Sequence, residues 1–588
     1  MHRLRKAVAL ALLFVFALGL WGCGGAPREE EAETSLAGAP GTYSATANGH
    51  NGPITVEVTV DEGGIKDLQL AESSETPMIG GFAFDVLREQ ILEHQSLQVD
   101  AVAGATISSW AFLAAIKDAL TEAGADLAAL ESREIEKPAP GQLTWETDIL
   151  VVGSGMAGIT AAVQAAEAGA DVILVEKLGY IGGTSATNAG FIYGAGTKVQ
   201  EEFGIEDSAE QYYKDLLYLT EVAKDEHIDP NLLKIMALNA PENMQWLVDR
   251  GIKFYTVDPA NIHPPRSTPR IHKAEGGGSA IIETLYKLAL DLGVEVYTNT
   301  PVVELLKEGD RVVGAKAEDI YGNEITIKAK GVILASGGYA RDKELIKETN
   351  PKLTEYTVSN TNEGDTIKLG QQVGADIILK NSLLMHHVAY ASSGIGYESY
   401  DAFYVTPEGE RFVDESTYFY WRSRELRERG FEDMWTIVTE SLYETYKDAI
   451  EQSIEAGKAF RADTVEELAE KINMDPAVLK KTIEDYNKMV EAGKDTAFGK
   501  PAQYLSKVKE PYIGLDMYGN LVDTTGGLRV NENSQVLDTE GRVIEGLYAA
   551  GSAAWAQTIS QEYEGSGTAM IQCLTFGRIA AQHAASQL

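Results

Sequence analysis

The spacing of apolar and polar residues divides the chain into an N-terminal apolar run, a small unit of mixed spacing and a long remainder. Residues 7–20 are apolar but fall short of the roughly 20 residues that span a bilayer. Strict alternation at 54–60 predicts a half-buried strand, and the Asn-Gly pair before it predicts a hairpin turn. Because residues 108–124 have helical spacing, we expect a small α+β unit over 41–130.

The remainder opens with an apolar strand at 148–152, a glycine loop at 153–158, an alanine-rich helix and a second strand that ends in an acidic residue. In this order the segments form the dinucleotide-binding fingerprint, in which glycines permit close approach to a pyrophosphate and the helix N-terminus faces the anion. The acidic residue would accept a hydrogen bond from the adenosine ribose. The residues predicted to bind the dinucleotide are Gly153, Gly155, Ala157, Gly158 and Glu176.

Length, charge and cysteine content narrow the class of protein. With 588 residues the chain is too long for one hydrophobic core, so we expect several domains. A formal net charge of −38 argues against nucleic acid or anionic lipid as a partner. The two cysteines, Cys23 and Cys573, exclude a CxxCH haem site and a cysteine-rich metal site, and we predict no metal.

The N-terminus has the pattern of an export signal. Basic residues at positions 3, 5 and 6 precede the apolar run, which ends in Leu20-Trp21-Gly22-Cys23. This ending resembles a bacterial lipobox, in which the cysteine is acylated and becomes the mature N-terminus. We therefore expect a signal peptide at 1–22, a flexible tether at 23–40 and an extracytoplasmic protein held to the cell membrane by its lipid alone. An ordinary signal peptide with an incidental cysteine is the alternative.

Residues 41–120, including the segment VDAVAGATISS, resemble the FMN-binding module of sodium-pumping quinone reductases and related flavoproteins. In that family a threonine is joined to FMN by a phosphoester. The resemblance places this covalent attachment at Thr106 and implies a flavin transferase as a partner. Asp100, Gly104 and Ala105 also match, whereas Ala103 stands where the family has serine. A linker at 131–144 follows the module.

Glycine-containing segments beyond the fingerprint resemble those with which the fumarate reductase and succinate dehydrogenase flavoproteins bind FAD. The resemblance implies an α/β fold with a Rossmann-like FAD domain at 145–381 and 524–588. An α+β clamp domain would be inserted at 382–523, with the active site between the two. The further FAD-binding residues that it implies are Gly182, Gly183, Thr184, Ser185, Gly337, Gly338, Gly551 and Ser552.

The residues with which soluble fumarate reductases grip a dicarboxylate are largely missing. The family's substrate-binding histidine falls on His387, but its proton-donating arginine falls on Phe419 and a carboxylate-binding arginine on Glu564. A second histidine falls on Asp523, and a further arginine falls near Glu398. Two unpaired carboxylates in a desolvated cleft would cost several kcal/mol, and Glu564 would add repulsion. We therefore expect fumarate to be a poor substrate.

The last segment, from Tyr563 to Gly567, instead resembles that of bacterial 3-ketosteroid dehydrogenases. There a tyrosine hydroxyl and a glycine amide polarise a ketone, and these roles would fall on Tyr563 and Gly567. A second tyrosine in that family handles the proton at the α-carbon, near the position of Tyr418 or Tyr420. The alternative for each tyrosine is a core aromatic with a satisfied hydroxyl. A basic segment with Arg270 and His272 falls where relatives have a flavin-facing one.

These observations favour an FAD-dependent reductase of an α,β-unsaturated carbonyl or carboxylate compound. Hydride would pass from FAD to the β-carbon, Tyr418 or Tyr420 would protonate the α-carbon, and Tyr563 with Gly567 would stabilise the enolate. A membrane quinol system would supply electrons through covalent FMN. A 3-ketosteroid-type dehydrogenase, a fumarate- or urocanate-type reductase and a non-enzymatic electron-transfer lipoprotein remain alternatives.

Overall fold

The computed structural model describes residues 36–135, 139–258, 268–353, 356–358, 360–392, 394–397 and 399–588. The predicted signal segment, Cys23 and Glu398 lie outside these ranges. Within the described part of the chain, no helix is both long and apolar enough to cross a membrane.

The N-terminal unit is a three-stranded antiparallel sheet with helices packed on it. The predicted hairpin is confirmed by the first two strands, which pair in register from Gly41 with Val60 to Asn48 with Pro53. Alternate residues of the second strand are buried, as its sequence indicates. The elements are β1 (Gly41–Asn48), β2 (Pro53–Asp61), β3 (Gly64–Ser73), α1 (Phe82–His94), α2 (Thr106–Glu122) and α3 (Leu127–Ser132).

The linker is shorter than the predicted 131–144, because α3 runs to Ser132 and the next strand begins at Gln142. The strands of the first part of the large domain are β4 (Gln142–Val152), β5 (Val172–Val175), β6 (Phe191–Tyr193), β7 (Phe254–Asp258), β8 (Ile271–Ala274), β9 (Glu295–Tyr297), β10 (Val302–Glu308), β11 (Arg311–Glu318), β12 (Glu324–Leu334), β13 (Thr357–Val358) and β14 (Ile377–Ile378). Its helices are α4 (Met156–Glu167), α5 (Gly183–Thr187), α6 (Lys198–Glu202), α7 (Ala209–Ala223), α8 (Pro230–Asp249), α9 (Gly277–Asp291), α10 (Lys343–Thr349) and α11 (Asp365–Val373).

The inserted unit, which we call the clamp, lies between residues 383 and 524. Its strands are β15 (Leu383–Ala389), β16 (Tyr404–Val405), β17 (Met434–Ile437), β18 (Ala459–Ala462) and β19 (Tyr512–Thr524). Its helices are α12 (Gly394–Tyr397), α13 (Phe419–Glu428), α14 (Glu440–Glu455), α15 (Val465–Lys471) and α16 (Pro476–Glu491). The chain then returns to the large domain with β20 (Gly527–Leu528), β21 (Gln535–Leu537), β22 (Val543–Ala549) and α17 (Thr568–Ser586).

Two sheets position the site. In the large domain the strand order is β10-β11-β22-β12-β4-β5-β9, and the pairings from β22 through β12, β4 and β5 to β9 are parallel. Strand β4 is central and apolar at its end, as expected for a parallel strand buried on both faces. In the clamp, β19 pairs with β15, β17 and β18, and it also pairs with β13 of the large domain. This is the predicted α/β architecture with an inserted α+β unit.

Candidate active site

The glycine loop between β4 and α4 is closely packed. A Cβ at Gly158 would lie 1.8 Å from the carbonyl oxygen of Gly153, so a side chain there would push α4 away from the loop. The backbone N–H and the hydroxyl of Ser154 donate to one carboxylate oxygen of Glu176, at 2.9 and 2.7 Å. The N–H of Gly182 donates to the Ser154 hydroxyl at 2.9 Å. These contacts fix the end of β4 to the segment that follows β5.

A cavity of about 960 Å³ opens beside this loop and extends to the clamp. Ten predicted FAD-binding residues line it, and the N-terminus of α4, which favours a pyrophosphate, begins at the same loop. The cavity therefore fits a dinucleotide cofactor. Gly158, Gly182 and Gly338 do not line it and instead allow close packing behind it. The predicted residues that line it are Gly153, Gly155, Ala157, Glu176, Gly183, Thr184, Ser185, Gly337, Gly551 and Ser552.

The clamp end of the cavity is lined by aromatic rings. Tyr420 stands edge-on to Tyr563, with 5.5 Å between the ring centroids. Phe419 contacts Tyr420 at 4.6 Å and Tyr397 at 4.7 Å, also edge-to-face. Tyr418 lines the same end and packs on Phe419 at 4.2 Å. The predicted tyrosines at 418, 420 and 563 are thus brought together in one wall.

The hydroxyl of Tyr563 accepts a hydrogen bond from the backbone N–H of Ala569 at 2.8 Å, in the first turn of α17. Gly567 is the N-cap of this helix and lines the cavity with Tyr563. Burial holds the pKa values of Tyr563 and Tyr420 well above the usual value for a phenol. Both hydroxyls therefore keep their protons at ordinary pH and can donate to a substrate oxygen or carbon.

The histidine at the cavity is His386, and the prediction that His387 lines the site is wrong. His387 contacts the Ser423 hydroxyl at 2.9 Å through Nδ1 and the carbonyl oxygen of Glu432 at 2.7 Å through Nε2. Successive residues of a strand point to opposite faces, so only one histidine of β15 can face the cavity. Nε2 of His386 lies 3.2 Å from Nδ2 of Asn520, which also lines the cavity. Burial lowers the pKa of His386 to about 3, so this histidine is neutral.

Asp523, which replaces a family histidine, lies in the cavity wall behind the loop at residues 337 and 338. Its carboxyl group accepts hydrogen bonds from Asn362, at 3.1 Å to both oxygens, and from the Ser552 hydroxyl at 2.9 Å. The backbone N–H of Thr524 donates to it as well. Burial outweighs these bonds and raises the pKa of Asp523 to about 6.

Basic side chains contribute little to the cavity. Among the residues that the structure describes, no arginine lines it. Arg422, three residues after Phe419, is buried and donates to the backbone carbonyl of Glu415 at 2.9 Å. Lys177 and Lys273 line the cavity, and each forms ion pairs with carboxylates. The arginines with which soluble fumarate reductases grip a dicarboxylate have no counterpart in the cavity lining among the described residues.

Two further expectations are corrected by the structure. Arg270 does not face the cavity because it is buried against Asp207 and Asp215, at 2.6 and 2.7 Å. His272 is also turned away, with Nε2 at 2.7 Å from the hydroxyl of Thr197. Because successive residues of β8 point to opposite faces, Lys273, the residue after His272, faces the cavity instead. Glu564 is buried and does not line the cavity, so the expected direct opposition to a bound anion at this position is not seen.

The predicted FMN attachment residue, Thr106, is half-buried at the first position of α2. Amides at a helix N-terminus favour a phosphate, and the side chain of Thr106 is only partly buried there, so the site fits a phosphoester. The hydroxyl of Ser108, two residues further along α2, donates to Glu75 at 2.5 Å and fixes this end of the helix.

The attachment loop is packed directly on the large domain. Gly104 has φ +86°, and a Cβ there would lie 2.4 Å from the ring of Tyr180, three residues before Gly183 of the cofactor cavity. A Cβ at Gly179 would in turn lie 2.9 Å from Val102. The backbone N–H of Met78 also bonds to Ser279 in the large domain, at 3.0 Å. The loop that precedes Thr106, which we call the FMN loop, and the loop from Gly179 to Gly183, which we call the FAD loop, are therefore neighbours.

Sequence reasoning missed several residues of the cavity, notably Tyr397, Asn520 and Trp555. Trp555 is fixed by its indole N–H, which donates to the carbonyl of Thr524 at 2.8 Å. These residues come from segments far apart in the chain, and nothing local distinguishes them from other core aromatics or strand amides. The alternation of β15 did offer a signal, because it limits the cavity-facing histidine to one of two.

Two families of known proteins match this chain. The FAD binding domain family matches residues 148–569, and the FMN-binding domain family matches residues 49–121. A urocanate reductase from Eggerthella lenta is 32% identical over 97% of this chain and 96% of its own length. The relative therefore shares both modules with this chain.

Solved structures show the same fold. The open conformation of a flavocytochrome c3 fumarate reductase superposes with a TM-score of 0.62 and 32% identity, covering 75% of this chain and 78% of that one. A 3-ketosteroid-Δ4-(5α)-dehydrogenase from Rhodococcus jostii RHA1, in complex with 4-androstene-3,17-dione, superposes with a TM-score of 0.64 and 27% identity. That match covers 76% of this chain and 100% of the dehydrogenase.

Proposed function

This chain belongs to the FAD-binding flavoprotein family of the urocanate and fumarate reductases, and we propose that it reduces the conjugated C=C bond of an α,β-unsaturated carbonyl compound. It is an FAD-dependent oxidoreductase that acts on C=C bonds, and it contains an FMN-binding domain. The observation that carries the proposal is a cofactor cavity whose far wall holds Tyr420 and Tyr563 but no arginine among the described residues.

The wall supplies the groups that such a reduction needs. Bound FAD would supply hydride to the β-carbon. Negative charge then develops on the substrate oxygen, where the hydroxyl of Tyr563 and the amide of Gly567 would stabilise it. Tyr420 or Tyr418, which line the same wall as Tyr563, would protonate the α-carbon.

Electrons would reach the cavity through the N-terminal module. We propose that a flavin transferase attaches FMN at Thr106 and that a membrane quinol system is the ultimate donor. The contact between Gly104 and Tyr180 supports direct transfer, because it places the attachment loop against the FAD loop. No part of this route requires a haem.

The lipid anchor at Cys23 is the localisation that we propose, with the enzyme on the extracytoplasmic face of the membrane. Replacing Cys23 by Ala should prevent signal processing at this residue and release the protein from the membrane fraction. Cys573→Ala, at the other cysteine of the chain, is the matched control and should leave fractionation unchanged. Unchanged processing and fractionation of Cys23→Ala would contradict the anchor.

A second candidate function is the reverse reaction, a dehydrogenation of the ketosteroid type. The segment Tyr563 to Gly567 and the match to the ketosteroid dehydrogenase fold favour it. Both candidates share the cavity chemistry and differ in the direction in which electrons flow.

The test is a screen of unsaturated compounds as acceptors for the dithionite-reduced holoenzyme, followed anaerobically at the flavin absorbance. Rapid reoxidation with formation of the saturated product is expected for at least one conjugated carbonyl compound. Fumarate should be among the slowest acceptors, because two carboxylates would lack cationic partners. If no unsaturated compound reoxidises the flavins while saturated ketones reduce the oxidised enzyme, the dehydrogenase is correct instead.

A further inference from the structure

An ion pair joins the clamp to the large domain close to the tyrosines of the cavity wall. Arg424 is on α13 of the clamp, and its Nη1 contacts a carboxylate oxygen of Glu562, in the segment that leads to α17. The side chain of Glu562 is 3% exposed and that of Arg424 is 20% exposed. Neither residue lines the cavity, so neither contacts the substrate in the reduction described above.

The two ends of the pair are close in sequence to the groups that would act on the substrate. Glu562 directly precedes Tyr563, the proposed oxyanion donor. Arg424 is four residues after Tyr420 on α13, and residues at this spacing lie on one face of a helix, one turn apart. The pair therefore connects the helix that carries a proposed proton donor to the backbone that carries Tyr563.

We propose that Arg424 and Glu562 are positioning residues, which hold the hydroxyl of Tyr563 in register with the proton donor on α13. This inference rests on the reductase function proposed above. The pair acts by fixing the distance between the oxyanion donor and the proton donor across the cavity. Such a distance matters because a misplacement of about 1 Å can lower a rate by about 10²-fold.

Each end of the pair is fixed within its own domain. In the clamp, Arg422 of α13 donates to the carbonyl of Glu415 at 2.9 Å and to the hydroxyl of Tyr404 at 3.2 Å. In the large domain, Lys380 donates to the carbonyl of Ile559 at 3.1 Å. The ring contacts of the cavity wall are apolar and weakly directional, whereas a charged hydrogen bond fixes both distance and direction. The pair therefore supplies a directional link between two anchored segments.

The surroundings of the pair show which variant breaks the link most mildly. A buried carboxylate without a partner is strongly destabilising, so removal of Arg424 would leave Glu562 in an unfavourable state. Glu562→Gln keeps the shape of the side chain and removes its charge. Arg424 would then remain partly exposed and near Glu425 and Glu428 of its own helix, at 3.2 and 3.7 Å. This variant leaves no buried charge unpaired.

The test measures single-turnover reoxidation of the dithionite-reduced holoenzyme by its best acceptor in a double-mutant cycle. Glu562→Gln should lower the rate at saturating acceptor by about 10- to 100-fold and change KM by less than about 3-fold, because the link acts in the transition state. In the Tyr563→Phe background the same change should lower the rate by less than about 3-fold, since the hydroxyl to be positioned is already missing.

Three further variants complete the test. Arg461→Gln is the matched control, because Arg461 pairs with Glu451 inside the clamp and outside the cavity; it should leave the rate unchanged. Arg424→Lys keeps the positive charge and should lose less rate than Arg424→Gln. If Glu562→Gln does not retain both flavins, Glu562→Asp takes its place in the cycle, since it keeps the charge and only shortens the side chain.

The outcomes separate this inference from the function on which it rests. A purely structural pair would lower the rate by the same factor in the wild-type and Tyr563→Phe backgrounds. That result, or a Glu562→Gln rate close to that of wild type, would overturn the inference while the reductase function stands. Failure of every unsaturated compound to reoxidise the flavins would overturn both.

Discussion

The role of Tyr563 can be tested by replacing this residue with Phe, which removes only the hydroxyl group of the side chain. The substitution keeps the ring and its edge-on contact with Tyr420 at 5.5 Å. It removes the hydroxyl that accepts a hydrogen bond from Ala569 at 2.8 Å and that we expect to meet the developing charge on the substrate oxygen. The perturbation is therefore confined to one polar group in the cavity wall.

Two magnitudes follow from this geometry. Loss of one oxyanion donor typically lowers turnover by about 10²- to 10³-fold, or about 2.7–4 kcal/mol of transition-state stabilisation. The amide of Ala569 loses its acceptor, and an unsatisfied buried donor costs about 1–3 kcal/mol of folding stability. This amide is in the first turn of α17, where N–H groups have no partner within the helix. We therefore expect a large loss of turnover together with a moderate loss of stability.

The assay is single-turnover reoxidation of the reduced holoenzyme by its best acceptor, with thermal unfolding measured in parallel. Tyr486→Phe is the matched control, since Tyr486 is buried in the clamp against Phe403 and lies outside the cavity. It should change stability alone. A Tyr563→Phe enzyme that keeps both flavins and reacts within a few-fold of wild type would refute the oxyanion role and leave Tyr563 as a packing residue.

Three further predictions concern the other groups of the two cofactor sites. His386→Leu should lower kcat/KM with little change in stability. His387→Leu should lower stability with little change in kcat/KM, as kinetics and thermal unfolding would show. Equal effects of the two variants on kcat/KM would contradict the placing of His386, and not His387, at the cavity. Thr106→Ala should abolish the covalent FMN mass adduct, and Thr121→Ala, on the same helix, should retain it. Burial raises the pKa of Asp523 to about 6 from its ordinary value of 3.8, so the folded state binds this proton more tightly. Stability should then fall as pH rises from about 4 to about 6, and Asp523→Asn should remove that component; an unchanged pH profile of the melting temperature would contradict it.

Much of the fold could be predicted because local patterns determine it. The alternation of β2 and the strand-loop-helix order around Gly153 depend on residues that are close in sequence. The dinucleotide-binding unit follows from such a pattern, whereas the FMN-binding module was identified by its resemblance to a known family, and both are matched by known families.

The active site was less predictable, because its walls come from distant segments. The sequence could not show which of the two adjacent histidines on β15 faces the cavity, because this depends on the register of the strand. Arg270 was expected to face the flavin, but Asp207 and Asp215, more than 50 residues earlier, hold it in the core. The sequence indicated a shortage of cationic groups, because Phe419 stands where the family has an arginine. The structure agrees with this, since no described arginine lines the cavity.

The central claim is that electrons held on FMN reach the C=C bond through the FAD cavity. The most direct test counts saturated product per chain when fully reduced protein, freed of dithionite, is mixed anaerobically with excess acceptor. Since each flavin stores two electrons, wild type should form about two product molecules per chain and Thr106→Ala about one. About one product molecule from both proteins would contradict the claim, because the FMN electrons would then have no path to the substrate.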